Sequence, residues 1–231
     1  MKVLIIGDSV ALRIRPSRKS PSEMTYGEHL ANILMADGGI VINKAIGSSM
    51  APFRMNEIDG LINVFPDVTI INIGIVDACT RSMPLWLYRF VNNENPSSTW
   101  IIASLKLLIN YFEKRFRRFL VIVSGKRSWV SSTAFKSNYS KLIHYLKKET
   151  NTQVICLSIN QPDLRVENSL PGSTANVIKF NDIVKQVCQQ SGSTFLDVSK
   201  IVTKDQIPDG IHFNSEGHQK VADAILSLLK S

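Results

Sequence analysis

The chain has 231 residues, of which 44% are hydrophobic and 20% are charged, with a mean hydropathy of +0.04. This composition predicts one globular domain over residues 1–231 and excludes a disordered chain. Apolar runs all fall short of the roughly 18 residues that a membrane-spanning helix needs, so we expect no stable membrane insertion. The net charge of +8 accompanies no recognisable nucleic-acid-binding module, so we expect no nucleic-acid partner.

The predicted elements alternate between strands and helices along the chain. Apolar, β-rich runs predict strands at 2–6, 40–45, 68–73, 119–123 and 153–158, with a short extended piece at 194–198. Periodic apolar spacing predicts helices at 25–35, 56–64, 101–115, 133–149, 174–190 and 215–229. Continuous apolar strands separated by helices indicate an α/β fold with a parallel sheet covered on both faces.

Polar segments follow three of the predicted strands directly. Gly7-Asp8-Ser9 follows the first strand, Gly47-Ser48 follows the second, and Gly74 begins a turn after the third. In a parallel sheet, ligands bind outside the carboxyl ends of the strands. We therefore expect these three segments to meet at one edge of the sheet, with the loop before the last helix reaching the same edge.

Ser9 and the distant Asp209-Gly-Ile-His212 segment supply the residue types of an acyl-transfer triad. A serine hydroxyl is a weak nucleophile near neutral pH, so a histidine must accept its proton and an acid must orient that histidine. The order of triad residues along the chain differs between folds, and roles rather than positions identify them. We predict Ser9 as the nucleophile, His212 as the base and Asp209 as its partner.

These segments resemble the conserved blocks of the SGNH (GDSL-type) hydrolase family over essentially the whole chain. Gly7-Asp8-Ser9 matches the first block, Gly47 matches the second, and Asp209-Gly-Ile-His212-Phe matches the last. The resemblance implies a flavodoxin-like three-layer α/β/α sandwich with a five-stranded parallel sheet. It also implies that the N–H groups of Ser9 and Gly47 bind the oxyanion, and that the reaction requires no cofactor. We expect no metal site, because His29 and His144 have no acidic or cysteine partner at metal spacing.

The third block departs from the family pattern. The family has Gly-x-Asn-Asp, whereas this chain has Gly74-Ile-Val76-Asp77, so an apolar side chain replaces an oxyanion donor. Loss of one such donor costs about 3–4 kcal/mol of transition-state stabilisation in other enzymes. The N–H groups of Ser9 and Gly47 then act alone, or Ser48 or Asn72 supplies a further donor.

Three further residues are candidates for substrate binding at this edge. Asp77 either binds the substrate or satisfies the backbone of its own turn, and Arg81 is either a surface residue or a partner for a substrate carboxylate. Trp86 lies in an aromatic stretch, followed by residues 92–96, that predicts either a packed helix or a wall of the binding site.

The predicted function is a serine esterase that removes O-acyl groups from a carbohydrate or a similar small ester substrate. One alternative is an O-acyltransferase of surface-polysaccharide synthesis with the same triad, and a second is a non-catalytic glycan-binding protein. Cys79, Cys156 and Cys188 are widely spaced, which predicts reduced buried thiols. Removal of a leader of about 15–30 residues would remove Ser9, so we expect a cytoplasmic protein.

Overall fold

The computed structural model describes residues 1–13, 23–93 and 99–230, which are organised around a five-stranded sheet. All strand pairs are parallel, and the order across the sheet is β2-β1-β3-β4-β5. The strands are β1 (Lys2–Gly7), β2 (Ile40–Asn43), β3 (Val68–Asn72), β4 (Gln153–Leu157) and β5 (Thr194–Leu196). This order is the flavodoxin-like one, and it confirms the predicted α/β fold with five parallel strands.

Ten α-helices surround the sheet in the described part of the chain. They are α1 (Tyr26–Leu34), α2 (Ala51–Asn56), α3 (Ile58–Ile62), α4 (Ile75–Ala78), α5 (Leu85–Asn92), α6 (Trp100–Val123), α7 (Ser132–Thr150), α8 (Leu164–Ser169), α9 (Ser173–Ser191) and α10 (Ser215–Lys230). Right-handed crossovers place helices on both faces, because the chain moves outward from β1 to β2 and then returns toward β5. Accordingly, α1 packs against α10, and α7 packs against α9.

The core lies between the central strands and these two helical layers. Val3, Leu4, Ile5 and Ile6 of β1 are completely buried, as expected for a strand covered on both faces. The outer strands β2 and β5 are only partly buried. The residues at the carboxyl ends of β1 and β3 therefore follow the most deeply buried strands of the sheet.

The predicted strand at 119–123 is wrong, because these residues form the C-terminal part of the 24-residue helix α6. Residues 100–123 contain neither glycine nor proline, so no residue interrupts the helix, although its backbone is kinked at Phe116. Only Val121 of the apolar run is buried, whereas Phe119 and Val123 are exposed. β4, the strand predicted at 153–158, occupies the sheet position beside β3.

Smaller differences concern the region after β2. The helix predicted at 56–64 is the short helix α3, and the preceding helix α2 was not predicted.

Two predicted connections lie partly outside the described residues. These are the loop after β1 and the long connection that includes residues 94–96. Within the described ranges, every helix is too short or too polar to cross a bilayer.

Candidate active site

The predicted site segments meet at the carboxyl edge of the sheet, where β1 and β3 lie side by side. Gly7 is paired with Asn72 in the register of these two strands, so Ser9 and the turn at Gly74 follow neighbouring strand ends. The connections from β1 and β3 leave in opposite directions across the sheet, which opens a crevice at this point. The loop at 209–212, between β5 and α10, reaches the same crevice.

The side chains of Ser9, His212 and Asp209 form a continuous chain of hydrogen bonds. His212 Nε2 lies 2.8 Å from Ser9 Oγ, and His212 Nδ1 lies 2.7 Å from Asp209 Oδ2. Both distances are within the range for a proton transfer from a nucleophile to a base and for orientation of that base. The His212 side chain is 23% exposed and the Asp209 side chain 43%, so the group is accessible from solvent.

Asp209 is held in its ionised form by its immediate surroundings. Partial burial alone would raise its pKa, but hydrogen bonds from the His212 ring and from the backbone N–H groups of Ile211 and His212 lower the pKa to about 2. The two backbone bonds, both to Oδ1, are 2.9 and 2.7 Å long. Asp209 is therefore a carboxylate at neutral pH and stabilises positive charge on His212.

The loop that carries Asp209 and His212 is fixed from the α8 side. Asn160 Nδ2 donates to the Ile211 carbonyl at 2.7 Å, and Arg165 Nη2 donates to the Pro208 carbonyl at 2.6 Å. Gly210 has a φ of +84°, and a Cβ there would collide with the carboxylate of Asp163. Glycine is required at this position because the backbone is left-handed and the neighbouring carboxylate is in close contact.

Asp8 connects the turn of Ser9 to the exit of β3. Its Oδ1 accepts from Val10 N at 2.9 Å, and its Oδ2 accepts from Gly74 N at 3.2 Å. Complete burial raises the pKa of Asp8 to about 6, and these backbone hydrogen bonds limit the increase. The carboxyl group thus fixes the nucleophile turn relative to the neighbouring strand.

Arg54 connects the same turn to β2. Its side chain is 1% exposed, and Nη2 donates to the carbonyl groups of Gly7 and Lys44, each at 2.7 Å. Its Nη1 donates to Glu57 Oε2 at 2.6 Å. The guanidinium group therefore joins the end of β1 to the residue that follows β2, just before the Gly47 loop.

Two backbone donors are available for an oxyanion. The N–H groups of Ser9 and Gly47 donate to no acceptor among the described residues. Val76 is 7% exposed and offers no donor from its side chain, while Asn72 is buried at the end of β3. Ser48 is exposed and has a φ of +60°, so the loop beside Gly47 has a left-handed residue that is not glycine.

Asp77 is buried inside the fold. Its Oδ1 accepts from Ala51 N, the first residue of α2, at 3.0 Å, and its Oδ2 has no partner in the described part of the chain. Burial raises the pKa of Asp77 to about 7. The carboxyl group contacts the helix that follows the Gly47 loop, so it supports that side of the crevice from within the fold.

Arg81 connects the β3 turn to the α5–α6 region. Its Nη2 donates to the Val76 carbonyl at 2.9 Å, and its guanidinium group lies 4.2 Å from the centre of the Trp129 ring. Burial lowers the pKa of Arg81. It borders a cavity of about 250 Å³ that Tyr88, Glu113 and Arg117 also line.

Trp86 and His218 lie in different environments, one exposed and one buried. Trp86 lies on α5, with 69% of its surface exposed, and its predicted contact with substrate stays a prediction. His218 is a buried packing residue whose Nδ1 accepts from Tyr26 N at 3.2 Å. Burial lowers the pKa of His218 to about 4, so it is neutral at physiological pH.

The residues that support the site were not predicted from the sequence. Arg54, Asn160 and Arg165 each bind backbone carbonyl groups from a distant part of the chain. A lone arginine or asparagine has no recognisable spacing to such partners. The role of Asp8 could have been predicted, because an aspartate side chain that accepts from the backbone N–H two residues later is typical of a capped turn.

Comparisons with known proteins agree with this architecture. The family model described as GDSL-like Lipase/Acylhydrolase matches residues 5–220. An acetylxylan esterase from Geobacillus stearothermophilus superposes with a TM-score of 0.60 at 19% identity, over 98% of this chain and 92% of that one. A lipase/acylhydrolase from Enterococcus faecalis gives 0.65 at 15% identity, over 99% and 95%. A search of curated proteins returned no match.

Proposed function

Because the chain belongs to the GDSL-like lipase/acylhydrolase family, we propose that it is a serine esterase that forms an acyl-enzyme on Ser9 and removes O-acyl groups from a carbohydrate or similar small substrate. Family membership confirms the predicted class, an SGNH hydrolase of ester bonds. The observation that supports the proposed catalytic group is the hydrogen-bonded chain from Ser9 through His212 to Asp209.

In the first half-reaction, Ser9 Oγ attacks the ester carbonyl carbon while His212 Nε2 takes the hydroxyl proton. The resulting imidazolium is stabilised by the Asp209 carboxylate, which also holds the ring orientation. The N–H groups of Ser9 and Gly47 donate to the oxygen that becomes negative. His212 then gives its proton to the leaving alcohol oxygen as the carbon–oxygen bond breaks.

In the second half-reaction, water attacks the acyl-enzyme. His212 accepts a proton from the water, and the tetrahedral species collapses to release the acid and the free Ser9 hydroxyl. The exposure of the His212 and Asp209 side chains gives water direct access. This favours hydrolysis over transfer to a sugar hydroxyl, which requires that water be excluded from the acyl-enzyme.

A carbohydrate substrate is supported by the kind of enzyme that shares this architecture. Two of the similar structures are described as acetylxylan esterases, the one from Geobacillus stearothermophilus and a second with a TM-score of 0.65 at 15% identity. An acyl group on a sugar hydroxyl is small enough to reach a serine in an open crevice. We therefore propose short acyl esters of glycans as the substrate class.

The decisive experiment is covalent labelling with a fluorophosphonate, followed by mass spectrometry of the peptides. We expect a single adduct on Ser9 and loss of acetate release from an acetylated xylo-oligosaccharide. The Ser9→Ala variant, with an unchanged circular dichroism spectrum, serves as the control and should not be labelled. Labelling of another serine, or unlabelled Ser9 in a protein that still cleaves esters, would refute the assignment. A labelled Ser9 without activity on any acetylated glycan would refute only the substrate class.

A further inference from the structure

The helix α6 exposes its apolar residues to solvent. Twelve large apolar side chains of α6 are exposed, half of all such residues in the described chain. Trp100 is 78% exposed, Leu107 71% and Tyr111 64%. Soluble proteins carry single exposed apolar residues, but a contiguous apolar surface of this kind marks an interaction site.

The polar side of α6 faces the protein instead. Lys106, Asn110, Glu113 and Arg117 follow one another at spacings of four, three and four residues, so they share one face of the helix, and all four are at least partly buried. Glu113 accepts from Ser82 Oγ at 2.6 Å and from Arg117 Nε at 2.6 Å. A surface helix of a globular protein normally has the opposite arrangement.

The outward stripe is almost entirely apolar. Ile101, Leu105, Leu108 and Phe112 recur at spacings of four, three and four residues, which places them on one face of the helix, and all four are exposed. Phe119 is exposed beyond the kink at Phe116. The neighbouring helix α5 packs against α6 and also exposes two aromatic side chains, Trp86 and Phe90. We refer to these outward residues of α5 and α6 as the α6 face.

The exposed charges of α6 itself, which is described over its whole length, all have one sign. Lys114, Arg115 and Arg118 are exposed on the helix, and Lys126 and Arg127 follow it. Glu113 is the only acidic residue of α6, and it is buried and paired with Arg117. The exposed part of the helix therefore combines apolar residues with positive charge alone.

We propose that the α6 face binds the surface of a membrane that contains anionic lipids, with α6 lying in the plane of the interface. Apolar residues enter the boundary between headgroups and acyl chains, aromatic residues occupy the interface, and basic residues contact lipid phosphates. The helix lies on the bilayer and does not cross it, in keeping with its charge content. A second copy of the chain fits less well, because packing α6 against the α6 of another copy would bring two sets of basic residues together with no exposed acid on either helix to pair them.

The test is flotation with vesicles made of equal parts phosphatidylglycerol and phosphatidylcholine, compared with vesicles of phosphatidylcholine alone. We expect the protein to float with the anionic vesicles, with weaker binding at high salt. Leu108→Glu should reduce binding about tenfold by placing a carboxylate on the inserted side. Arg115→Glu should reduce it at least about fivefold, the contribution of one basic residue near an anionic surface.

Matched control variants separate the α6 face from general surface effects. Ile178 on α9 is 52% exposed, as is Leu108, so Ile178→Glu makes the same change elsewhere and should leave binding intact. Lys185→Glu is the corresponding control for charge. Thermal unfolding by circular dichroism must show that all four variants are folded. Equal losses in the control variants, or equal binding to both vesicle types, would overturn the proposal.

The behaviour without lipid gives an independent check. A dimer in light scattering that Leu108→Glu converts to a monomer, together with unchanged vesicle binding, would assign the α6 face to self-association and overturn the membrane proposal. A monomer whose tryptophan emission shifts to the blue only with anionic vesicles would support it, because Trp100 and Trp86 leave water on binding. This proposal does not depend on the catalytic assignment, since neither vesicle binding nor fluorescence requires hydrolysis.

Discussion

The crevice around Ser9 and the helix α6 are attached to the rest of the protein in opposite ways. Around Ser9, short turns leave completely buried strands, and buried polar groups such as Asp8 and Arg54 bind backbone atoms from neighbouring segments. The helix α6 turns polar side chains such as Glu113, together with the buried Val121, toward the protein, and it leaves most of its apolar side chains outside. The first arrangement fixes atomic positions, whereas the second presents a surface.

The largest expected effect comes from removing the nucleophile or its base. Ser9→Ala should lower ester hydrolysis on the order of 10⁴-fold or more, and His212→Ala should be about as damaging, because groups that act as a unit show non-additive losses. Hydrolysis of a short-chain aryl ester by folded variants, and by the double variant, measures this. If the two losses multiplied in the double variant, Ser9 and His212 would not form one catalytic unit.

The apolar side chain of Val76 gives the next largest expected effect, in the direction of higher activity. Val76→Asn places an amide where the family has its asparagine, and it should raise kcat toward simple esters by up to about 10²-fold. Val76→Leu, which keeps the side chain apolar, is the control. If Val76→Asn left kcat unchanged in a well-folded protein, another group would already complete the oxyanion site.

The buried carboxyl group of Asp77 should make stability depend on pH. Its pKa is raised to about 7 by burial, so the folded state holds a proton that the unfolded state loses at about pH 4. The contribution of Asp77 to the free energy of unfolding is therefore fully present below pH 4 and is lost as the pH rises to about 7. Asp8 acts in the same direction, since its pKa is also raised.

Asp77→Asn should remove part of this pH dependence. Relative to the wild type, the variant should gain on the order of 2 kcal/mol of unfolding free energy between pH 4.5 and pH 7.5. Urea unfolding at the two pH values measures the difference. Parallel changes in wild type and variant would show that Asp77 is already ionised in the folded protein at pH 4.5.

The smallest expected effect on activity comes from loosening α6. Glu113→Gln weakens the ion pair with Arg117, which we expect to cost about 1 kcal/mol locally and to leave ester hydrolysis within about twofold. Amide hydrogen exchange should become faster in α6 but not in β1 or β3. A large loss of hydrolysis would mean that the crevice and α6 are not independent, with Arg81 and its contact to the Val76 carbonyl as the connection.

The contrast between the Ser9 crevice and α6 also explains which features of the fold could be predicted from the sequence. The positions of Ser9, Gly47 and Gly74 were predictable because each follows a strand whose apolar pattern is unambiguous, and parallel strands end at one edge. The strand predicted at 119–123 was wrong, because a short apolar run looks alike in a buried strand and on an exposed helix face. Residues 119–123 continue the helix that precedes them, because no glycine or proline interrupts residues 100–123.

The supporting residues could not be predicted in the same way. Asn160 and Arg54 act on carbonyl groups whose position is defined only after the strands and loops have packed. The same is true of the polar residues beneath α6, whose spacing predicts a helix but does not indicate which side faces the protein. Local pattern therefore pointed to the proposed reacting groups, and the tertiary structure shows which residues hold them in place.

The hydrogen bond between Ser9 and His212 joins residues that are 203 positions apart. During synthesis, the serine leaves the ribosome with the first strand, while its base follows only after all five strands have been made. Closing so long a stretch of chain carries an entropic cost that no local contact shares. A growing chain that has not reached residue 212 thus contains the proposed nucleophile without the group that activates it.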